Sequence, residues 1–311
     1  MTEPRTDSGP DRWFHRRGAL ARDGWESRVD ASLPGWQHTG LDVAELSPGT
    51  ELPLPGAGLE RLVVPLAGSF TVRHGSTETR LAGRESVFAG PTDVLYLPAG
   101  TDATLSGTGR VAVAGSPTDE VRPARHVAAT EVPVELRGAG RSSRQVHNFG
   151  TPETLDAARL IVCEVITPAG NWSSYPAHKH DQHVPGHESR LEEIYYFEAA
   201  PEAGATGADP AQAFGLFSTY SSPAGRIDIN AMVRTGDIAL VPYGYHGPAV
   251  AAPGYDLYYL NVMAGPDPER AWLITDDPAH AWVRQTWERQ QTDARLPYGV
   301  KIDNSTEGAH R

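Results

Sequence analysis

Leu191-Glu192-Glu193-Ile194-Tyr195-Tyr196-Phe197 joins an acidic head to a short run of β-branched and aromatic residues, the composition of a β-strand. A partial copy, Leu59-Glu60-Arg61-Leu62, stands 132 positions earlier. A second pair follows in the same order at an offset of 144: Asp93-Val94-Leu95-Tyr96-Leu97-Pro98-Ala99-Gly100 against Asp237-Ile238-Ala239-Leu240-Val241-Pro242-Tyr243-Gly244. The soft stretch from Glu198 to Pro210 supplies the difference as a surface loop. Similar short apolar runs recur in both halves, at Ser69-Phe70-Thr71-Val72, Val111-Ala112-Val113, Leu160 to Ile166 and Tyr255 to Val262. With Gly 32 and Pro 26 for tight turns, the pattern predicts an all-β chain built as a duplicated barrel with a few short peripheral helices. The expected division is a mobile tail over 1–12, an N-terminal barrel over 13–138, a C-terminal barrel over 139–299 and a second mobile tail over 300–311. One helix is expected near the end. Asp277 caps it, Pro278 takes its first position, and Ala279 to Trp287 follow, with Trp282 packed on the barrel and His280 and Arg284 exposed.

The 311 residues carry Lys+Arg 27 against Asp+Glu 39, a formal net charge of -12. That balance disfavours nucleic acid as a partner. No apolar run is long enough to span a bilayer, and the N-terminal residues lack the apolar stretch of an export signal. The single cysteine, Cys163, lies in an apolar run and reads as an inert core thiol, so a reducing cytoplasm is the expected compartment.

Chemistry concentrates in Gly170-Asn171-Trp172-Ser173-Ser174-Tyr175-Pro176-Ala177-His178-Lys179-His180 and the segments after it. On a strand, residues two apart share a face, so His178 and His180 point together into a barrel while Lys179 points away. Glu193 opens the next strand as a carboxylate ligand, and His246 follows the Pro242-Tyr243-Gly244 turn as a fourth donor. Among 12 histidines some must fall close by chance. The ordered combination of HxH, Glu and a post-turn His is far more specific than an HxH pair. Three imidazoles and one carboxylate suit one divalent transition metal per chain, Zn, Mn or Fe, with coordination positions open for substrate. His183 and His187, in the polar loop from Asp181 to Ser189, are not assigned to it.

The order Gly170, His178-x-His180, Glu193, Gly236, Pro242-x-Gly244, His246 resembles the two motifs of the cupin β-barrels. The distance from Pro242 to His246 is one residue shorter than usual for that family. Within the cupins, the stretches 171–180, 191–197, 241–248 and 255–261 resemble the family of 5-deoxy-glucuronate isomerases of myo-inositol degradation. The likeness extends from Trp13-Phe14-His15 through Arg144-Gln145-Val146-His147-Asn148 to the terminal helix. It implies an aldose-ketose isomerisation of 5-deoxy-D-glucuronate to 5-dehydro-2-deoxy-D-gluconate, by proton transfer through an enediol or by hydride shift. It implies no organic cofactor.

For that reaction Glu192, Tyr243 and Tyr245 are the candidate proton carriers, with Glu192 turned outward by strand alternation. Arg144 is the first candidate for the substrate's carboxylate, with Lys179 a second. The expected partner is a small sugar acid, with no membrane; association into a homo-oligomer is left open. In the first half Arg61 replaces Glu193 and Asp102 replaces His246, so no metal is expected there. The competing readings are a 5-dehydro-4-deoxy-glucuronate isomerase, whose HxH-to-Glu gap is shorter, a cupin dioxygenase, and a sugar-binding cupin without turnover.

Overall fold

The computed structural model describes residues 12–299. The tails expected to be mobile, 1–12 and 300–311, lie outside the described residues except for Arg12.

Two β-sheets form the centre of the molecule. The N-terminal sheet has the path Ser27–Val29, Gly40–Leu46, Ala103–Pro117, Leu59–His74, Val94–Leu97, Arg125–Val127. The C-terminal one runs Phe14–His15, Ile238–Val241, Glu192–Pro201, Tyr255–Ala264, Ile161–Thr167, Arg144–Gly150, Val134–Arg137. A further sheet, from Asn230–Val233 through Gly215–Tyr220, Tyr245–Ala251 and His178–Lys179 to Thr275–Asp276, supplies the second wall of the C-terminal barrel.

The duplication inferred from the offsets is present in the register. Arg61 lies opposite Leu97 on one neighbouring strand and Gly115 on the other. Glu193 lies opposite Val241 and Met263. Both faces of these central strands are buried, which is why their sequences read as nearly continuous apolar runs. In the N-terminal sheet Val63, Leu95, Leu97, Val111 and Val113 fill the barrel interior. Their neighbours Leu62, Val64, Tyr96, Ala112 and Ala114 pack into the cluster that holds Ile194, Tyr196, Leu260 and Val262. The two barrels therefore meet back to back through their sheets.

That contact is fastened by two equivalent glutamates. Glu60 accepts backbone N–H bonds from Ala158, Arg159 and Leu160 at 2.7, 2.6 and 2.7 Å. Its counterpart Glu192 accepts from Gln37, His38 and Thr39 in the opposite half, the last at 2.7 Å. Each buried carboxylate is thus satisfied by three successive amides of the other barrel, the arrangement an ionised group requires away from water.

Sheet membership departs from the expected division in two places. Phe14–His15 pairs with Ala239 and Ile238 of the C-terminal sheet, and Val134–Arg137 pairs with the Arg144–Gly150 strand. Phe14 opposes Ala239 as His126 opposes Leu95, so both edge strands occupy matching sites although their places in the chain differ. The Glu192–Pro201 strand also extends past Glu198, so the soft stretch becomes loop only after Pro201. The expected terminal helix is shorter and later. Asp277 accepts the Ala279 N–H at 2.8 Å, as a cap would, but turns follow and the helix covers only Val283–Thr286. Trp282 is 59% exposed and does not pack on the barrel.

Candidate metal centre

The antiparallel ladder sets His178 directly opposite His246. Paired residues of neighbouring strands share a sheet face, so both imidazoles enter the barrel. His180 continues the same alternation, and Glu193 arrives from the facing sheet. One ring nitrogen from each of the three histidines lies within 4.8 Å of the others. The Glu193 Oε2 is 3.0 Å from His180 Nε2 and 3.1 Å from His246 Nε2. All four side chains are buried.

The opposite ring nitrogens are already engaged. His180 Nδ1 lies 3.1 Å from the Leu191 carbonyl, His246 Nδ1 3.1 Å from that of Gly244, and His178 Nδ1 3.4 Å from that of Pro176. Such carbonyls fix the tautomer that leaves Nε2 free to bind a metal. The His246 Nε2 is buried and faces the Glu193 carboxylate at 3.1 Å, which fits a ring nitrogen and a carboxylate placed to share one cation. Protonation favours the same conclusion. Burial, and then the neighbouring His246 and His180, press His178 well below the usual imidazole value. Burial alone would raise Glu193, but the hydrogen bonds and charge of His180 and His246 hold it down at about 2. Burial opposes charge on His180 as well, yet Glu193 raises its pKa; a metal would displace the proton those two share. Three imidazoles and a carboxylate thus fit a divalent transition metal by number, type and spacing.

Gly247 makes this packing feasible. Its φ is +93°, and a Cβ there would sit 1.8 Å from the Ser174 carbonyl oxygen. Ser174 itself is left-handed, with φ of 45°, and its hydroxyl lies 3.0 Å from the Tyr259 OH and 3.4 Å from the Tyr195 OH. Burial raises the pKa of both phenols, so they serve as hydrogen-bond donors.

A cavity of about 400 Å³ opens onto His178 and Glu193. Its walls include Ser174, Tyr195, Tyr259 and Asn261, whose buried Nδ2 has no partner. Three arginines also line it. Arg137 is forked onto Glu135 at 2.9 and 2.8 Å, and Arg284 onto Asp276. Arg144 differs from both. It is 5% exposed, donates to the Ser142 carbonyl at 3.0 Å, lies over the Trp287 ring, and has no carboxylate within ion-pair distance among the described residues. Burial, reinforced by Arg137 and Arg284, lowers its pKa to about 10.

Other expected site residues lie elsewhere. The Glu192 carboxylate is held by the amides of 37–39 at the barrel contact, which removes it as a proton carrier. Lys179 is buried on the far side of its strand, with Nζ 2.8 Å from Asp181 and 2.7 Å from Glu188, so its ammonium is not offered to a substrate. Tyr245 stacks on Tyr220 at 5.2 Å, Tyr243 packs against Gly225, and neither lines the cavity. Closeness in sequence to His246 misplaced both tyrosines. The residues missed were Ser174, Tyr259, Asn261, Asp276 and Arg284. Tyr259 and Asn261 alternate along the Tyr255–Ala264 strand and were recoverable from its period of two; Arg284, expected on an exposed helix face, was not. His183 pairs with Asp267 at 2.8 Å. In the N-terminal barrel Arg61 donates to the carbonyls of Leu54 and Thr101, and Asp102 accepts the Gly56 N–H at 2.9 Å.

Comparison with known proteins bears on the family and the fold. The family model described as KduI/IolB matches residues 13–283. The chain is 40% identical over 269 residues to 5-deoxy-glucuronate isomerase of Geobacillus thermodenitrificans, covering 83% of this chain and 91% of that one. It is 38% identical over 259 residues to the protein of the same name from Bacillus subtilis strain 168, covering 82% and 91%. Among solved structures, an IolB-like protein from Salmonella typhimurium superposes with a TM-score of 0.78 at 36% identity, covering 87% of this chain and 98% of that one. Oxalate decarboxylase of Lactobacillus farciminis superposes at 0.58 with 12% identity, covering 87% and 89%, and shares the fold alone. A two-barrel cupin architecture and sequence similarity along nearly the whole chain lead to one conclusion: the chain belongs to the KduI/IolB family.

Proposed function

We propose that the chain is a metal-dependent aldose-ketose isomerase converting 5-deoxy-D-glucuronate to 5-dehydro-2-deoxy-D-gluconate in myo-inositol catabolism. The names of its relatives support the substrate. The single observation that carries the reading is Arg144: a buried guanidinium without a carboxylate partner among the described residues, in the same cavity as His178 and Glu193. A charge in that position is costly unless a ligand completes it, and a sugar acid brings the carboxylate. His178, His180, Glu193 and His246 would hold the ion, with Zn, Mn and Fe(II) the candidates. A bound divalent ion supplies Lewis acidity that polarises a carbonyl and acidifies the adjacent C–H.

The chain's own residues do the rest. Arg144 fixes the carboxylate end of the substrate, with Trp287 behind the guanidinium limiting its movement. Tyr259 and Ser174, hydrogen-bonded to each other, offer donors to the sugar oxygens, and Asn261 offers its free amide. Isomerisation is neutral in redox, so no organic cofactor is called for. In this reading residues 139–299 carry the chemistry, and 13–138 brace it through the Glu60 and Glu192 clasps. A cytoplasmic location is proposed with it; no helix among the described residues is long and apolar enough to cross a membrane.

The test is turnover by purified protein of known metal content, with product identified by NMR and oxygen uptake recorded in parallel. Ketose formation without oxygen consumption is expected. Oxygen uptake, or tight binding of the sugar acid without conversion, would overturn the proposal in favour of a dioxygenase or a binding protein.

A further inference from the structure

Isomerisation moves one hydrogen between adjacent carbons, and the expected carriers Glu192, Tyr243 and Tyr245 do not reach the cavity. Among the described residues lining that cavity the carboxylates are Glu193 and Asp276, and Glu193 belongs to the metal ligand set. Asp276 is the register partner of His178, on the side away from His246. Asp276, His178 and His246 therefore form one row across three adjacent strands and face the same way into the barrel. Arg284 holds the Asp276 carboxylate in a two-point grip, with Nη2 2.7 Å from Oδ1. The grip orients the group and leaves each oxygen a further lone pair.

Resting on the isomerase reading above, we infer that Asp276 is the catalytic residue that carries hydrogen between the two carbons, and that Arg284 is its positioning residue. The Asp276 carboxylate takes the proton from C2 of the aldose. The C2–H electron pair becomes the C1=C2 bond of the enediol, and the carbonyl pair moves onto O1, which gains a proton. Return of the proton from Asp276 to C1, with the O2–H proton lost as the C2 carbonyl forms, yields the ketose. One proton has moved from C2 to C1 and one from O2 to O1, with no external oxidant or reductant.

The experiment compares the metal-loaded parent with Asp276→Asn and Asp276→Glu in D2O, reading turnover, deuterium in product and recovered substrate, metal content and substrate affinity. The parent is expected to incorporate solvent deuterium. Asp276→Asn should keep its metal and bind substrate within about threefold, yet lose roughly a thousandfold in turnover together with the exchange. Should Asp276→Asn lose its metal, Asp276→Glu decides: with metal bound, it is expected to restore measurable exchange. Turnover by Asp276→Asn within about tenfold of the parent, absence of exchange in metal-loaded Asp276→Glu, or complete retention of hydrogen by the parent would each overturn the inference. A parent that does not isomerise the sugar acid would instead sink the functional reading.

Discussion

His178 and His246 are direct cross-strand partners, so the proposed metal centre's two halves, 68 positions apart in the chain, are held at a separation set by the β-ladder itself. Glu193 then needs only to approach from the facing sheet. A centre built on two paired strands is rigid before the metal arrives, which favours a preformed site over one assembled by loops.

The first prediction concerns that centre. Elemental analysis should find about one equivalent of transition metal per parent chain and less than about a tenth in His178→Ala. A chelator should lower the melting temperature of the parent and leave that of the variant unchanged, because only the parent's folded state is stabilised by the ion. Equal metal content in the two proteins would remove His178 from the ligand set.

Arg144 tests substrate binding separately from metal binding. Arg144→Met should raise KM for the sugar acid by roughly 30- to 100-fold, the worth of a charge-assisted pair, while metal content stays the same. Folding stability is expected to hold or improve, since the substitution removes a buried charge with no carboxylate partner among the described residues. Arg144→Lys should recover only part of the affinity, because an ammonium lacks the planar fork. Steady-state kinetics and thermal melts on the same preparations check both halves.

Glu60 and Glu192 were linked by the sequence offset, and they play the same part in the structure. Glu60→Gln and Glu192→Gln should each destabilise the fold by about 2–4 kcal/mol, because an amide cannot accept from three N–H donors as a carboxylate does. Neither should change kcat by more than about threefold. A large loss of kcat with unchanged denaturant midpoint in Glu192→Gln would return that residue to the catalytic machinery.

Much of this was legible because strand periodicity is local. The period of two turned His178 and His180 inward, Lys179 away, Glu193 inward and Glu192 out. What "out" meant was not local: for Lys179 it is an ion pair with Glu188, and for Glu192 it is the other barrel. Asp276 and Arg284 stayed hidden because a register partner of His178 nearly a hundred residues away leaves no trace in spacing. The division at 138 failed to follow the sheets for a similar reason. Phe14–His15 completes the far sheet, and edge pairing is settled by tertiary packing rather than by its own two residues. Arg144 was singled out through a resemblance, and what distinguishes it physically, the lack of a carboxylate within ion-pair distance among the described residues, exists only in three dimensions.

The last prediction uses the buried network between the barrels. Arg84, from the N-terminal half, grips Glu164 at 2.6 and 2.7 Å; His147 Nδ1 lies 2.6 Å from the same carboxylate, and Tyr258 donates to it at 2.8 Å. Burial would raise the Glu164 pKa, but Arg84 first and then His147 outweigh it and bring it from 4.5 to about 2. A depressed folded pKa means the unfolded chain binds this proton first. The stabilisation is therefore complete above the unfolded value and is lost as pH falls from about 4.5 toward 2. Glu164→Gln should cost about 3–5 kcal/mol at neutral pH, because Arg84 is left buried and uncompensated. It should also flatten the fall of stability below pH 4.5 relative to the parent. Arg84→Met combined with Glu164→Gln should recover part of the neutral-pH loss while keeping the flatter acid limb. Urea unfolding across pH 3 to 7 measures both effects, and an acid limb as steep in Glu164→Gln as in the parent would show that protonation of Glu164 does not drive the loss.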